Sequence, residues 1–168
     1  MTINRRCRVL VGLLLAVLLT GCGDPIEQPG ATRWTPPTAA PSGPQWTGKI
    51  AVDKETGAMT APGFNALIDT ETPGWAQAPD TVVAELLNLN RGFDGPVDIY
   101  LLQEDKDSAD PVLTVTLTRL GDDSTKAIRY RITLHRADDG RYRFVSGKRT
   151  MSCQTGRGHQ DFETRWCS

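Results

Sequence analysis

The residues best equipped for chemistry lie near the C-terminus, where two cysteines bracket the segment CQTGRGHQDFETRWC, from Cys153 to Cys167. Gly156 and Gly158 allow the backbone to approach a ligand closely, Arg157 and His159 can hold an anion or a carboxylate, and Asp161 can orient the imidazole. The same residues also have a structural reading, in which the glycines make turns, Arg157 pairs with an acid and His159 hydrogen-bonds its own loop. A hydrolase centred on His159 finds little company in the chain. The histidines are two, His135 and His159, and there is no G-x-S-x-G elbow, H-E-x-x-H helix, phosphate loop or dinucleotide fingerprint. A carboxylate pair could be drawn from Asp69, Glu71, Asp94, Asp98 and Glu104, but acids are too common for such a choice to point to acid–base catalysis. No catalytic residue is assigned, and the chain reads as non-enzymatic rather than as an enzyme.

A second group is cationic. Arg129, Arg131, Arg141 and Arg143 fall on two neighbouring segments of alternating polarity, so they share one sheet face with Thr133 and His135. Such a face can meet anionic head groups, wall polymers or an acidic partner. The alternative is a solvated face whose charges deter aggregation.

The elements that must position these residues begin after a leader. Arg5, Arg6 and Arg8 precede Val9 to Leu19, a run that is apolar apart from Gly12. This is the pattern of a signal peptide, and the run falls short of the roughly 20 residues a helix needs to span a bilayer. Leu19-Thr20-Gly21-Cys22 then resembles the lipobox of bacterial lipoproteins. The resemblance implies cleavage before Cys22, a diacylglycerol thioether on its sulfur, and a protein acylated and anchored on the extracytoplasmic face of the bacterial cell membrane. Two acyl chains suffice for stable attachment, at about 0.8 kcal/mol per buried methylene. No cofactor beyond this covalent lipid is expected.

With Cys7 in the leader and Cys22 lipidated, Cys153 and Cys167 remain as a pair outside the reducing cytoplasm, and a disulfide is expected. It closes a loop whose entropy stabilises the fold by about 3 kcal/mol. A zinc site with His159 as third ligand is the sharper alternative, but neither C-x-x-C nor a second nearby histidine is present, so no metal is expected. The segment also resembles the C-termini of small lipoproteins and secreted proteins of Gram-positive bacteria, a likeness that brings no activity with it.

The 168 residues, with 19 Lys plus Arg against 20 Asp plus Glu, suit a single domain and exclude a nucleic-acid binder. The charge is unevenly spread. Residues 22–110 hold 14 acids and 5 bases, whereas residues 111–168 hold 6 acids and 11 bases. The organisation expected is a leader over 1–21, a lipidated cysteine and Pro-rich unstructured tether over 22–44, and one globular domain over 45–168. Trp34, exposed in the tether, could dock on the domain or the lipid interface.

Within the domain, alternation predicts a first strand over Trp46–Val52, and helical spacing of Phe64, Leu67 and Ile68 predicts a short helix ending near Thr72-Pro73-Gly74. Pro79 and Asp80 open a second helix with Val82, Val83, Leu86, Leu87 and Asn90 on one face and Gly92 as its stop. Four strands follow, around Val97–Leu101, Val112–Leu120, Lys126–Arg136 and Arg141–Thr150, joined by turns into an antiparallel meander with one apolar face. The fold class is α+β, a helix packed on a curled, mainly antiparallel sheet of four to five strands. The element order over Pro79–Thr150 and the hairpin YRITLHRADDGRYRFVS resemble cystatin-like or nuclear-transport-factor-like rolls, which carry no functional residues across.

Three functions are compatible with these elements. One is a membrane-anchored interaction module that contacts an envelope protein or polymer through the basic face and the Arg157–His159 loop. Another is a carrier of a small apolar ligand in a cavity lined by Tyr130, Phe144 and Leu117. The third is the envelope hydrolase using His159.

Overall fold

The four segments in which apolar residues recur at every second position become the four long strands of one sheet. The computed structural model describes residues 28–37, 42–93, 95–106 and 108–168. The leader, Cys22 and the first residues of the tether lie outside the described residues. Strands β4 (Asp98–Glu104), β5 (Val112–Thr118), β6 (Thr125–Arg136) and β7 (Tyr142–Cys153) form an antiparallel meander. Three short strands widen it: β1 (Thr32–Trp34) beside β4, and β3 (Ala58–Thr60) beside β7 with β2 (Ala51–Val52) beyond, giving the order β1-β4-β5-β6-β7-β3-β2. The class is α+β as expected, but among the described residues the sheet has seven strands rather than four to five. The extra strands are only two or three residues long and leave no periodicity in the sequence.

The first of them falls inside the segment read as a tether. Thr32, Arg33 and Trp34 pair with Leu101, Tyr100 and Ile99, and Trp34 packs against the core. An unstructured linker over 22–44 therefore does not hold for these three residues, and the ordered domain includes residues before Gln45.

Helices α1 (Phe64–Glu71) and α2 (Pro79–Leu86) cover the apolar side of the sheet. Phe64 and Ile68, one turn apart, are fully buried with Val82, Val83 and Leu86 against Leu113, Val115 and Leu117 of β5 and Ile132 and Leu134 of β6. The second helix begins where the sequence expects, whereas Thr60-Ala61-Pro62, which the sequence offers as the start of the first, ends β3 and leads into a helix that opens at Phe64. Pro79 fits the first turn, where its missing N–H costs nothing, and Gly63 takes the left-handed conformation before α1. The second helix ends earlier than expected, at Leu86, and Gly92 closes a separate 3₁₀ turn over Leu89–Arg91.

The amphipathic reading of α2 also needs correction. Ala84 and Glu85 are as buried as Val82, Val83 and Leu86, because the segment before β2 crosses the outer side of the helix. Trp46 donates its backbone N–H to Glu85 Oε1 at 2.6 Å and its carbonyl accepts from Arg91 Nη2 at 2.6 Å, so the two peptide units that flank its Cα are both held. Its indole meets Phe64 edge-on at 5.2 Å, and Phe64 meets Trp75 at 5.6 Å. A Cβ at Gly48 would fall 2.5 Å from the Trp46 ring, which requires glycine there. The strand expected over Trp46–Val52 accordingly shrinks to Ala51–Val52, since the Trp46 peptide is committed to the helix layer.

Candidate functional site

Where β7 ends, Cys153 is fully buried and disulfide-bonded to Cys167, with a Cα–Cα distance of 5.4 Å across 14 residues of sequence. The expected pairing is thus present, and the closed loop is tied to the sheet along its length. Glu163 exchanges two backbone hydrogen bonds with Met151 at 2.8 and 3.0 Å, and Cys153 donates to the His159 carbonyl at 2.9 Å. Gln154 donates to Ser124 O at 2.7 Å, and Ser152 Oγ donates to Gln160 O at 2.7 Å. Thr164 Oγ1 reaches Glu55 O at 2.9 Å, and Ser168 N reaches Arg157 O at 3.0 Å. The loop extends the sheet's edge rather than hanging from it.

His159 is the centre of this loop. Its Nδ1 lies 2.9 Å from Asp161 O and its Nε2 lies 2.9 Å from Arg165 O, so both ring nitrogens face backbone carbonyls. The Asp161 residue does fix the imidazole, but through its main chain and not through the carboxylate that the sequence offers for the task. Arg157 stands 3.6 Å from Asp123 of the β5–β6 turn, both side chains being exposed. Gly156 and Gly158 adopt positive φ of 81° and 136°, as turn formers. Each of these placements follows the structural reading of the cluster. The geometry also sets Cys153 Sγ, Cys167 Sγ and a nitrogen of His159 within 4.8 Å of one another.

Two aromatic residues of the loop went unremarked in the sequence and carry much of its contact with the sheet. Phe162 lies under the guanidinium of Arg129, 3.6 Å from ring centroid to Cζ, and Trp166 lies against that of Arg149 at 4.1 Å. Such stacks contribute about 0.5–1 kcal/mol each where exposed. The available signal was two aromatics at polar spacing in a segment with no apolar periodicity. Trp166 remains 56% exposed, which makes it the largest apolar side chain offered to solvent beside the loop.

The four arginines of the sheet separate into two pairs. Arg131 sits opposite Thr114 and Lys148, and Arg129 opposite Thr116 and Thr150. Beyond a register shift between Thr133 and Leu134, Arg143 sits opposite His135 instead. Val145 is the residue left over by this shift, and the bulge lets Tyr142 and Phe144 face the core although Met151, of opposite parity, does so too. Arg129 also donates through Nε to Thr116 Oγ1 at 3.2 Å, and its partial burial lowers its pKa from the ordinary value. Arg131 meets Glu104 through Nη2 at 2.8 Å and Nε at 3.4 Å.

The second pair is more tightly bound. Arg143 grips Asp139 with two N–H groups at 2.9 and 3.0 Å and donates to Asp69 of α1 through Nε at 2.8 Å, while Arg141 meets Asp139 at 3.2 Å. The Arg143 guanidinium, seconded by the Arg141 backbone amide, holds the Asp139 carboxyl far below its usual range, and Asp139 raises Arg143 in return. Asp98 pairs with both Arg33 and Arg119, and His135 Nδ1 lies 2.6 Å from Asp110. The acids singled out for possible catalysis therefore serve as counter-ions at Asp69, Asp98 and Glu104, and Asp94 lies outside the described residues.

Tyr130, Phe144 and Leu117 are engaged in packing. Leu117 is 5% exposed and the two aromatics pack on the core cluster. A shallow open groove of about 200 Å³ lies elsewhere, between Gly30, Thr32, Asp80, Leu101 and Lys106. Among the described residues no helix is long and apolar enough to cross a membrane. Compared with family models, curated proteins and solved structures, the chain finds no match in any of the three.

Proposed function

We propose that the chain is a lipid-anchored, non-enzymatic interaction module on the extracytoplasmic face of a bacterial cell membrane, attached through acylated Cys22 and contacting an acidic envelope polymer. The observation that supports this reading most is the division of the sheet. The helices fill one side, while the other carries Arg129, Arg131 and Lys148, of which Arg131 and Lys148 are exposed and lie opposite each other on β6 and β7. Exposed cations on a rigid strand lattice suit a repeating phosphate or carboxylate polymer. The element order of a helix followed by four meandering strands favours the finer description as a cystatin-like or nuclear-transport-factor-like roll. The carrier and hydrolase readings draw no comparable support, since Tyr130, Phe144 and Leu117 pack in or against the core and Asp161 meets the His159 ring through its backbone carbonyl, not through its carboxylate.

The test has two arms. Mass spectrometry of the protein extracted from its membrane should report diacylglycerol on an N-terminal Cys22; an unmodified cysteine removes the anchor. Binding to immobilised polyglycerol phosphate should fall at least tenfold in Arg131→Glu/Lys148→Glu and weaken steeply with salt, with the melting temperature little changed. Equal binding by the folded double variant rejects the polymer contact.

A further inference from the structure

The convergence of Cys153, Cys167 and His159 has a chemical meaning that the oxidised protein conceals. Their ligand atoms lie within 4.8 Å of one another, with Cys153 buried and the other two half-buried. While the sulfurs are bonded to each other neither can ligate a metal. We propose that reduction of the Cys153–Cys167 disulfide converts this corner into a Cys2His site for a thiophilic divalent cation, zinc foremost.

Preorganisation supports the proposal. The backbone hydrogen bonds of Glu163 with Met151, Cys153 with His159, Gln154 with Ser124 and Ser168 with Arg157 hold both ends of the loop in addition to the S–S bond. The side chains of Ser152 and Thr164 add two more anchors, on Gln160 O and Glu55 O. Once reduced, the two thiols therefore stay near each other and near the imidazole, and the entropy of gathering three ligands is largely spent already.

The second argument concerns the ring. Metal-bound histidine usually donates its remaining N–H to a carbonyl or carboxylate, which fixes the tautomer. His159 has such a carbonyl at each nitrogen, Asp161 O and Arg165 O. A neutral ring keeps one of these contacts as donor and releases the other, freeing a lone pair for the cation. Two thiolates, one imidazole and one solvent molecule complete a tetrahedron, the arrangement of zinc sites with an open position.

The chemistry balances with a dithiol as reductant. It delivers two electrons and two protons to the S–S bond, leaving two cysteine thiols and its own disulfide. Cation binding then displaces both thiol protons to solvent. The site is thus closed by oxidation and opened by reduction, independently of what the basic sheet face binds.

Cobalt(II) serves as a spectroscopic stand-in. The full chain, reduced with a phosphine and desalted without oxygen, should bind one cobalt per chain with thiolate charge-transfer and tetrahedral d–d bands, and zinc should displace it. The oxidised protein should show neither band. His159→Ala should weaken binding tenfold or more, and zinc should slow alkylation of the two thiols in the unaltered chain but not in this variant. Circular dichroism and amide spectra of the reduced apoprotein should match those of the oxidised protein. Absence of stoichiometric cobalt binding, undiminished affinity in folded His159→Ala, or unfolding of the reduced loop would each overturn the proposal.

Discussion

Replacing Glu85 with alanine tests how the helix layer is fastened to the chain before β2. The Trp46 N–H is buried and donates to Glu85 Oε1 at 2.6 Å, while Arg91 holds the carbonyl of the same residue. Removing the carboxylate leaves that N–H without its partner in a site where Trp46 is 4% exposed. A hydrogen bond to a charged group contributes about 1.5–3 kcal/mol, and an orphaned buried donor costs about 1–3 kcal/mol. A loss near 2 kcal/mol, set against a urea slope of roughly 2 kcal/mol per molar, moves the unfolding midpoint down by about 1 M. Trp46 and Trp75 report the transition by fluorescence from inside the perturbed cluster. Glu85→Gln keeps an acceptor of the same reach and should recover at least half of the loss. If Glu85→Ala shifts the midpoint by less than about 0.2 M, or if glutamine is as harmful as alanine, the clamp does not contribute as described.

Three further outcomes follow from the geometry. Gly57→Ala combines a left-handed φ of 73° with a Cβ placed 2.4 Å from the Arg149 carbonyl, so it should destabilise by more than about 1 kcal/mol in urea unfolding. A cost below that would mean that β3 moves freely along β7. Because its folded pKa is depressed by Arg143, Asp139 contributes stability that is complete above its ordinary value of 3.8 and is lost as pH falls below it. The midpoint gap between the unaltered chain and Asp139→Asn should therefore be constant near neutrality and close in acid, and a gap that widens there contradicts the ion pair. Cys153→Ser/Cys167→Ser should lower stability by about 3 kcal/mol, mainly through the unfolded chain. Its native amide spectrum should change only around the two cysteines, and widespread shifts along β7 would show that the crosslink shapes the edge.

Periodicity made the centre of this molecule legible. Leu113, Val115 and Leu117, and Ile132 and Leu134, announce a sheet with one buried face, and Phe64 and Ile68 announce the helix that covers it. What periodicity does not record is where backbone groups find their partners. Trp46 to Val52 alternate as a strand does, yet the Trp46 peptide bonds to Glu85 and Arg91, and Thr32–Trp34 form a strand solely because β4 offers an edge. The site was legible in a similar proportion. Two cysteines and a histidine marked the loop, whereas the stacking of Phe162 on Arg129, and the counter-ions that Asp69 and Asp139 supply to Arg143, depend on contacts between distant segments. The β-bulge at Val145 is invisible to any reading that assumes unbroken alternation.

The outer margin of β7 is occupied almost residue by residue. The Asn65 side chain pairs with both the N–H and the carbonyl of Phe144, at 2.9 and 2.8 Å. Further along, β3 takes Gly147 and Lys148, the Gly57 carbonyl takes Arg149, Glu163 takes Met151 and the His159 carbonyl takes Cys153. Long strand edges left open recruit strands from other chains. Here β7, one of the two longest strands, would be the natural template, and three separate parts of the chain have closed it. The ends of the sheet that remain are two and three residues long, in β2 and β1. A second copy of the chain therefore finds no long free edge along β7 to which it could add a strand.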